Sequence, residues 1–273
     1  MSLGVVIKGT EGVVLAADSR ITLGVQHHGG PLMAVNFDNA TKLLSFSDPH
    51  NFVGVVTYGA AVIGSRTAHG FLPEFEISLG DERLTTEEYA QRLSDFFSAR
   101  WKDEVERSPG QRENPGPGMT FVVGGYDPGE AYGKVFLLQI PSQPKPEPRN
   151  PGEREFGMTW GGQLEIGSRL IHGYDPTLLA VLRETLNLGE GDIKKITAAF
   201  RQRLEYRIPY DVLPLQDCID LATFMIRSTI ALQSLSLSMG IRGVGGLIEV
   251  ATITRTRGIE YIQHKQIRGE HHN

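Results

Sequence analysis

The most informative part of the sequence for the fold is Gly12-Val13-Val14-Leu15-Ala16-Ala17-Asp18-Ser19-Arg20. The run before Asp18 is apolar without a break, and it is too short and too rich in valine for a helix. Continuous apolar character predicts a strand that is covered on both faces. Gly4–Lys8 has the same character, and the intervening Gly9–Gly12 predicts a turn between the two strands.

Outward from these strands, the pattern changes to helices, back to strands, and then repeats. We predict further strands at 42–46, 52–57, 119–126, 133–140, 155–160, 247–254 and 259–264, and helices at 60–75, 85–107, 164–172, 176–187, 191–206 and 215–237. Such segregated runs predict an α+β protein with helix layers on antiparallel sheets, rather than the alternating βαβ units of a parallel fold.

Two proline-rich stretches interrupt this pattern. Residues 108–118 and 141–153 are predicted to be inserted loops, because proline removes backbone donors and glycine raises the entropic cost of order. We expect both loops to belong to a single domain spanning 1–273. Pro144, Pro146 and Pro148 also have the spacing of a polyproline ligand for a partner module, but an exposed loop is the favoured interpretation.

Composition excludes several classes of protein. The 273 residues carry a net charge of -5, which gives no reason to expect a nucleic-acid partner. No apolar stretch is long enough for a membrane helix and no signal peptide is evident, so we expect a cytoplasmic protein with no membrane partner. The single cysteine, Cys218, cannot form an internal disulfide.

The chain resembles the β-type subunits of the proteasome and their bacterial relatives, which are N-terminal-nucleophile hydrolases. The stretch quoted above is a fairly specific part of this resemblance, and the other parts are 2–6, 41–43, 57–61 and 245–250. The resemblance implies a four-layer αββα sandwich, no cofactor, and peptide or protein substrates. It also implies self-assembly into a homo-oligomeric ring or spiral, and an unfoldase or accessory protein as a further partner.

A serine hydroxyl is a poor nucleophile until a base takes its proton, and a chain that begins with serine carries such a base in its α-amine. The ordinary pKa of that amine, about 7.7 to 8.0, suits proton transfer at neutral pH. Ser2 is small enough to permit removal of Met1. The resemblance implies that Ser2 is the nucleophile, since its spacing to Asp18 matches that of the family's nucleophile and acid. Alternatively, Ser2 is only a common second residue.

Asp18 and Lys42 are implied to be the next two catalytic residues. In the family, a lysine lowers the pKa of the nucleophile and an acid fixes that lysine. The segment between the two residues is longer here than in archaeal relatives, and the extra residues fall in 24–36, where we expect a loop. The alternative is a surface ion pair worth under about 1 kcal/mol.

Two further roles follow from the resemblance. Gly59 is implied to supply the backbone N–H of the oxyanion hole from the start of a helix, since Ala60 and Ala61 also match. Counting the family's number of residues onward from Lys42 would instead place this oxyanion donor at Val56. Arg20 matches a structural arginine near the site and is expected to support it.

The chain departs from the family pattern in two places. No serine occurs in 160–163, where the family has one after a glycine. After the long helix, Gln233 stands where an acid is expected, and Ser236 is the best match to the serine that follows. The proton network is therefore rewired, or the subunit is inactive.

Other constellations are weaker. His27-His28 and His271-His272 are more often solvated than metal-bound, so we expect no metal site. The glycine-rich stretch 243–246 precedes a strand instead of a helix, which argues against a phosphate cradle.

Three functions remain open. The first is a serine-type N-terminal-nucleophile peptidase or amidase that works as an oligomer, with helix 85–107 contributing an apolar face to the assembly. The second is a non-catalytic structural ring subunit, and the third is a small-molecule amidase on the same scaffold. Retention of Met1 would separate the first two, because it converts the base into an amide.

Overall fold

The computed structural model describes residues 2–25, 33–107, 118–237 and 242–266. Its strands are β1 (Leu3–Lys8), β2 (Val13–Asp18), β3 (Ile21–Val25), β4 (Met33–Phe37), β5 (Leu43–Ser45), β6 (Val53–Gly59), β7 (Met119–Gly125), β8 (Lys134–Ile140), β9 (Gln143–Arg149), β10 (Gly157–Gly162), β11 (Ile248–Ile253) and β12 (Glu260–Gln263). Its α-helices are α1 (Leu72–Leu79), α2 (Thr86–Arg107), α3 (Glu165–Ile171), α4 (Thr177–Leu186), α5 (Glu190–Leu204) and α6 (Leu215–Leu235).

The strands form two five-stranded sheets, both antiparallel, and a separate hairpin of β3 and β4. Sheet I has the order β10-β1-β2-β11-β12, and sheet II has the order β5-β6-β7-β8-β9. Every residue of β1, β2 and β11 is buried, as their continuous apolar runs predict. The quoted stretch 12–20 therefore forms the central strand of sheet I and the turn that leaves it.

Three apolar clusters hold these elements together. On sheet II, Phe97 and Trp101 of α2 pack with Phe121 of β7. On sheet I, the residues of α6 that share a cluster with β1 and β2 are Cys218, Ile219, Ala222, Met225 and Ile226. The third cluster combines residues of both sheets, such as Leu15 and Val56. The predicted α+β class, with antiparallel sheets and covering helices, is confirmed.

The helix predicted over 60–75 is wrong for most of its length. Residues 60–68 form turns with one isolated bridge, and helical structure begins only with a 3₁₀ turn at His69–Phe71. Gly64 has a φ of +62°, which lies in the left-handed region and interrupts a right-handed helix. Pro73, expected near the end of this helix, instead lies in the first turn of α1, where proline is tolerated.

Sequence reasoning also missed three strands. β4 lies almost entirely in the predicted loop 24–36, and β3 precedes that loop and overlaps only its first two residues. β4 is mostly exposed, so it has no buried face that would give an apolar pattern. β9 falls within the predicted loop 141–153 and forms the edge of sheet II. Its prolines recur every second residue, so their missing N–H groups all lie on one side of the strand, which an edge strand tolerates. The other predicted loop, 108–118, lies outside the described residues except for Gly118.

Among the helices of the described ranges, none is both long enough and apolar enough to cross a membrane.

Phe97 is the centre of the aromatic packing between α2 and sheet II. It is fully buried, and its ring centroid lies 4.6 Å from that of Phe121 and 5.9 Å from that of Phe71. Phe97→Ala should lower the free energy of unfolding by about 3–5 kcal/mol, because it leaves a cavity in this cluster. Urea unfolding measures the loss, with Ile77→Ala, 84% exposed, as the control. Equal losses in the two variants would contradict this packing.

Candidate active site

Asp18 ends β2 and is completely buried. Its Oδ1 accepts hydrogen bonds from the Leu3 N–H at 2.9 Å and from Lys42 Nζ at 2.6 Å. Its Oδ2 accepts from the N–H groups of Arg20 at 3.2 Å and Gly245 at 3.0 Å. Four donors from four separate segments fill the hydrogen-bonding capacity of this carboxylate and fix its position.

Lys42 lies directly before β5 and faces Asp18. Its side chain is only 5% exposed, and Nζ also donates to the carbonyl oxygen of Arg20. Burial lowers the pKa of Lys42, while the carboxylate of Asp18 acts in the opposite direction. The ion pair is therefore buried, and the alternative of a surface ion pair is wrong.

Ser2 precedes β1 and is 5% exposed. It lines a cavity of about 20 Å³ together with Lys42, Thr57 and Tyr58. A cavity of this size has room for about one water molecule. The structure thus brings Ser2, Asp18 and Lys42, which are far apart in sequence, to one small polar site.

Thr57 of β6 is a site residue that sequence reasoning missed as a functional group. Its N–H donates to the Lys42 carbonyl oxygen at 2.9 Å, which joins the two strands next to the site. Its Oγ1 is buried and has no hydrogen-bond partner among the described residues. No sequence signal marks it, because threonine is ordinary in a strand.

Gly59 ends β6 with a φ of +91° and does not begin a helix. The helix-dipole argument for its oxyanion role is therefore wrong, although Tyr58, Ala60 and Ala61 on either side of it line the Ser2 cavity. The Ala60 N–H is occupied by the Gly118 carbonyl oxygen at 2.9 Å. Val56, the other candidate, is fully buried in the cluster between the sheets.

Arg20 anchors the turn that follows Asp18. Its guanidinium donates twice to Asp38, from Nε at 2.5 Å and from Nη2 at 2.8 Å, and once to the Arg242 carbonyl oxygen at 3.1 Å. The hydrogen bond from Arg20 lowers the pKa of Asp38. Arg20 itself reaches the site through its backbone, since its N–H binds Asp18 and its carbonyl oxygen binds Lys42.

The loop before β11 closes the site from the other side. Besides the bond from Gly245 N–H to Asp18, the Gly245 carbonyl oxygen accepts from the Ser19 N–H at 3.0 Å. A Cβ at Gly245 would lie 2.5 Å from the guanidinium carbon of Arg20, so a larger residue there would displace this side chain. The sequence argued against a phosphate cradle at 243–246, and in the structure this loop holds Asp18.

Gln233 and Ser236, the residues expected to replace the family's acid and serine, lie near the end of α6. Gln233 is buried, and its Oε1 accepts from the Val244 N–H at 3.0 Å. It thereby fixes the loop that carries Gly245. Ser236 follows the helix, and its N–H donates to the Leu232 carbonyl oxygen at 3.0 Å.

A second buried charge cluster, also missed, lies beside the first. Glu249 of β11 is completely buried, with Nζ of Lys265 at 3.4 Å and Nδ1 of His264 at 2.8 Å from its carboxylate. Lys265 also donates to the Ala40 carbonyl oxygen at 2.6 Å, and its charge contributes to the lowered pKa of Lys42. It therefore tethers the segment that leads into Lys42.

Within the described ranges, no group of three or more histidine, cysteine or acidic side chains could hold a metal ion. The histidine pairs at 27–28 and 271–272 lie outside those ranges.

Comparison with known proteins identifies relatives by fold. No protein-family model and no curated protein matches the chain. Among solved structures, Anbu (ancestral beta-subunit) from Yersinia bercovieri matches with a TM-score of 0.52 and 16% identity, over 95% of this chain and 86% of that one. The helical assembly of the Anbu complex from Pseudomonas aeruginosa matches with a TM-score of 0.56 and 16% identity, over 98% and 88%.

These matches correct the family suggested by the sequence. The resemblance named the β-type subunits of the proteasome, and that assignment is wrong, because the matching structures are Anbu proteins, a proteasome-like but distinct family. The quoted motifs are mostly buried strand residues and glycines at close contacts. Such residues are required by the backbone geometry, so they do not separate families that share it. At 16% identity, the likeness shows a common fold alone.

Proposed function

We propose that this protein is a self-assembling, Anbu-like N-terminal-nucleophile hydrolase that cleaves amide bonds of peptides with Ser2. The observation that carries this proposal is the buried Asp18–Lys42 pair, whose lysine lines the same 20 Å³ cavity as Ser2. Burying an ion pair costs several kcal/mol of desolvation for each ion, so structure alone is a poor reason to keep one. A nucleophile that needs a nearby positive charge would explain why the buried ion pair lies beside Ser2.

In the proposed reaction, removal of Met1 leaves Ser2 with a free α-amine. This amine takes the proton of the Ser2 hydroxyl as Oγ attacks the substrate carbonyl carbon, and the resulting ammonium gives the proton to the leaving nitrogen. Departure of the nitrogen leaves the acyl group as an ester on Ser2. The same amine then deprotonates a water molecule that attacks this ester, and the ammonium returns the proton to Oγ as the C–Oγ bond breaks and the acid is released. Lys42 favours the developing negative charge on Oγ, and Asp18 holds Lys42 in place.

We further propose Gly59 as the backbone donor to the oxyanion. Its neighbours in sequence line the Ser2 cavity, and its positive φ turns the chain sharply there. Arg20 and Gln233 act as supporting residues through Asp18 and through the 243–246 loop, and Ser236 remains the proposed serine of the proton network.

A second pocket supports a peptide substrate. It has a volume of about 210 Å³, shares Ala60 and Ala61 with the Ser2 cavity, and is walled by Ile63, Trp101 and Val105. A cavity of about 150 Å³ is enough to hold a benzene ring. An apolar side chain of a substrate bound at Ser2 is a suitable occupant.

We also propose that the chain is one domain, that its sheets and helices stack as a four-layer αββα sandwich, and that it assembles with copies of itself. The cluster that contains residues of both sheets supports the stacking. The helical assembly of the Pseudomonas aeruginosa Anbu complex supports the self-association. The assembly face expected on 85–107 is corrected, because the apolar residues of α2 pack on sheet II of the same chain. Exposed leucines at the end of α6 are better candidates: Leu232, Leu235 and Leu237.

The nucleophile can be tested by removing one hydroxyl. Ser2→Ala should abolish turnover of fluorogenic peptide amides, because no other group would form the ester, while the unfolding midpoint stays unchanged. The matched control is Ser65→Ala, at an exposed position. Intact-mass measurement of both proteins establishes that Met1 is removed. Full activity in Ser2→Ala would show that another group does the chemistry, and retained Met1 with no activity in the wild type would favour a structural subunit.

The charge pair can be tested by separating catalysis from stability. Lys42→Met should lower kcat/KM by about 100-fold or more, equivalent to about 3 kcal/mol of transition-state stabilisation. Because Lys42→Met leaves the Asp18 carboxylate buried without its counter-ion, urea unfolding should show a separate loss of stability. Lys134→Met is the control, since Lys134 forms a 2.7 Å ion pair with Asp127 but is 43% exposed. Unchanged kinetics in Lys42→Met would rule out its catalytic role.

Assembly can be tested on the exposed end of α6. Leu235 is 80% exposed, and Leu232 lies one turn earlier on the same face. Leu232→Glu/Leu235→Glu should shift the mass measured by light scattering from that of a multimer towards 30.0 kDa. Val212→Glu, at another exposed apolar residue, should leave the multimer intact. A wild-type mass near 30.0 kDa at micromolar concentration would refute self-assembly.

A further inference from the structure

Gln163 lies directly opposite Ser2 at the end of the β1–β10 ladder. Leu3 pairs with Gly162, so the next pair outward is Ser2 with Gln163, and the Gln163 N–H donates to the Ser2 carbonyl oxygen at 2.8 Å. This approach depends on Gly162, which has a φ of +99° and whose Cβ, if present, would lie 1.9 Å from that oxygen. The backbone is therefore built to hold Gln163 against Ser2.

The orientation of the Gln163 side chain is fixed by its neighbour. Nε2 donates to a carboxylate oxygen of Glu165, and because a carboxylate only accepts, the amide NH₂ must face it. Oε1 then faces away from Glu165. Gln163 is only 5% exposed, and its Oε1 is buried. This oxygen has no hydrogen-bond partner among the described residues.

A buried acceptor without a donor destabilises the fold by about 1–3 kcal/mol, so such an atom calls for an explanation. Removal of Met1 creates new donors at the residue that Gln163 faces. It replaces the single amide N–H of Ser2 with an α-amine, which has two N–H groups when neutral and three when protonated.

We propose that Gln163 is a positioning residue whose side-chain oxygen accepts a hydrogen bond from the freed α-amine of Ser2 and so orients this amine towards the Ser2 hydroxyl. This inference rests on the proposed function, since it assigns the partner of the base in that reaction.

Gln233, which stands where an acid was expected, is less suited to this role. Its Oε1 is already bound by the Val244 N–H, and its unpartnered buried atom is Nε2, a donor. A donor cannot accept a hydrogen bond from an ammonium group. Of these two buried glutamines, only Gln163 has its oxygen without a partner.

The carboxamide of Gln163 is neutral, and this affects the protonation of the Ser2 α-amine. The charged groups nearest the Ser2 site are Asp18 of β2 and Lys42 before β5, and Arg20, Lys265 and Glu249 lie beyond them. Glu165 of α3 lies beyond Gln163. The Tyr58 hydroxyl of β6 also lines the site, and burial raises its pKa to about 12. A carboxylate at position 163 would stabilise the ammonium form of the amine and delay its action as a base to higher pH. A carboxamide accepts the same hydrogen bond but stabilises the ammonium form of the amine less than a carboxylate would.

The test uses protein released from a fusion by a protease that leaves Ser2 at the N-terminus, so that the amine is present in every variant. The pKa of the α-amine is measured from the pH dependence of its ¹⁵N resonance, which lies far from those of backbone amides. Gln163→Met keeps the volume but removes the acceptor, so the pKa should fall. The exchange Gln163→Glu/Glu165→Gln keeps the charge count and moves the carboxylate next to Ser2, so the pKa should rise by about one or more. Gln143→Glu, on the exposed edge strand β9, is the control and should change nothing.

The acidic limb of kcat/KM against pH should move in the same directions as the amine pKa. An amine pKa that is the same in wild type, Gln163→Met and the exchange variant would overturn the inference. If the pKa responds as expected but no variant hydrolyses peptides, the positioning role stands and the proposed function fails. If peptides are hydrolysed and both the pKa and the pH profile ignore position 163, the proposed function stands and this inference fails.

Discussion

The carboxylate of Asp18 is the interaction on which the site depends. It receives hydrogen bonds from β1, from the turn after β2, from the loop before β11 and from Lys42. A charge at the centre of a protein is tolerated only when its hydrogen-bonding capacity is filled, and here two donors serve each oxygen. As a result, β1, Lys42 and the loop before β11, which are distant in sequence, meet the turn after β2 within hydrogen-bond distance of the same group.

Close backbone contacts also position the residues of the site, in addition to the hydrogen bonds of Asp18. A Cβ at Gly162 would lie 1.9 Å from the Ser2 carbonyl oxygen, so this close backbone approach requires glycine, and Gly245 lies against the guanidinium of Arg20. The guanidinium of Arg20 stabilises the turn after β2 by donating to Asp38 from two nitrogens. The chemical groups of the site are thus set by main-chain approach, so that small displacements of the loops would disturb them all together.

Two lysines lie close to a site whose residues are largely buried. Burial lowers the pKa of Lys42, and the charge of Lys265 acts in the same direction, while Asp18 acts in the opposite direction. Lys265 is itself paired with Glu249. Two buried acid–lysine pairs in adjacent parts of the fold therefore support the segment 40–42, which carries one wall of the Ser2 cavity.

The sequence by itself determined the elements whose side chains are buried on a regular period. The apolar runs before Asp18 and at 119–126 predicted strands, and every residue of β2 and β7 is buried. Thr85 and the acidic residues after it predicted the start of the helix at 85–107. The family resemblance also implied that Asp18 and Lys42 act as a pair. These features depend on local composition, which the sequence states directly.

Only the tertiary structure decided the remainder. It showed that residues 60–68 are not helical, that β4 and β9 are strands without an apolar signal, and that Thr57, Gln163, Gly245 and Glu249 surround the site. It also separated Gln163 from Gln233 by the atom that each leaves without a partner. Hydrogen-bond satisfaction and close backbone contact arise between residues far apart in the chain, and they have no local pattern. For this reason the sequence indicated candidate residues for the site, while the arrangement that brings them together comes from the packing.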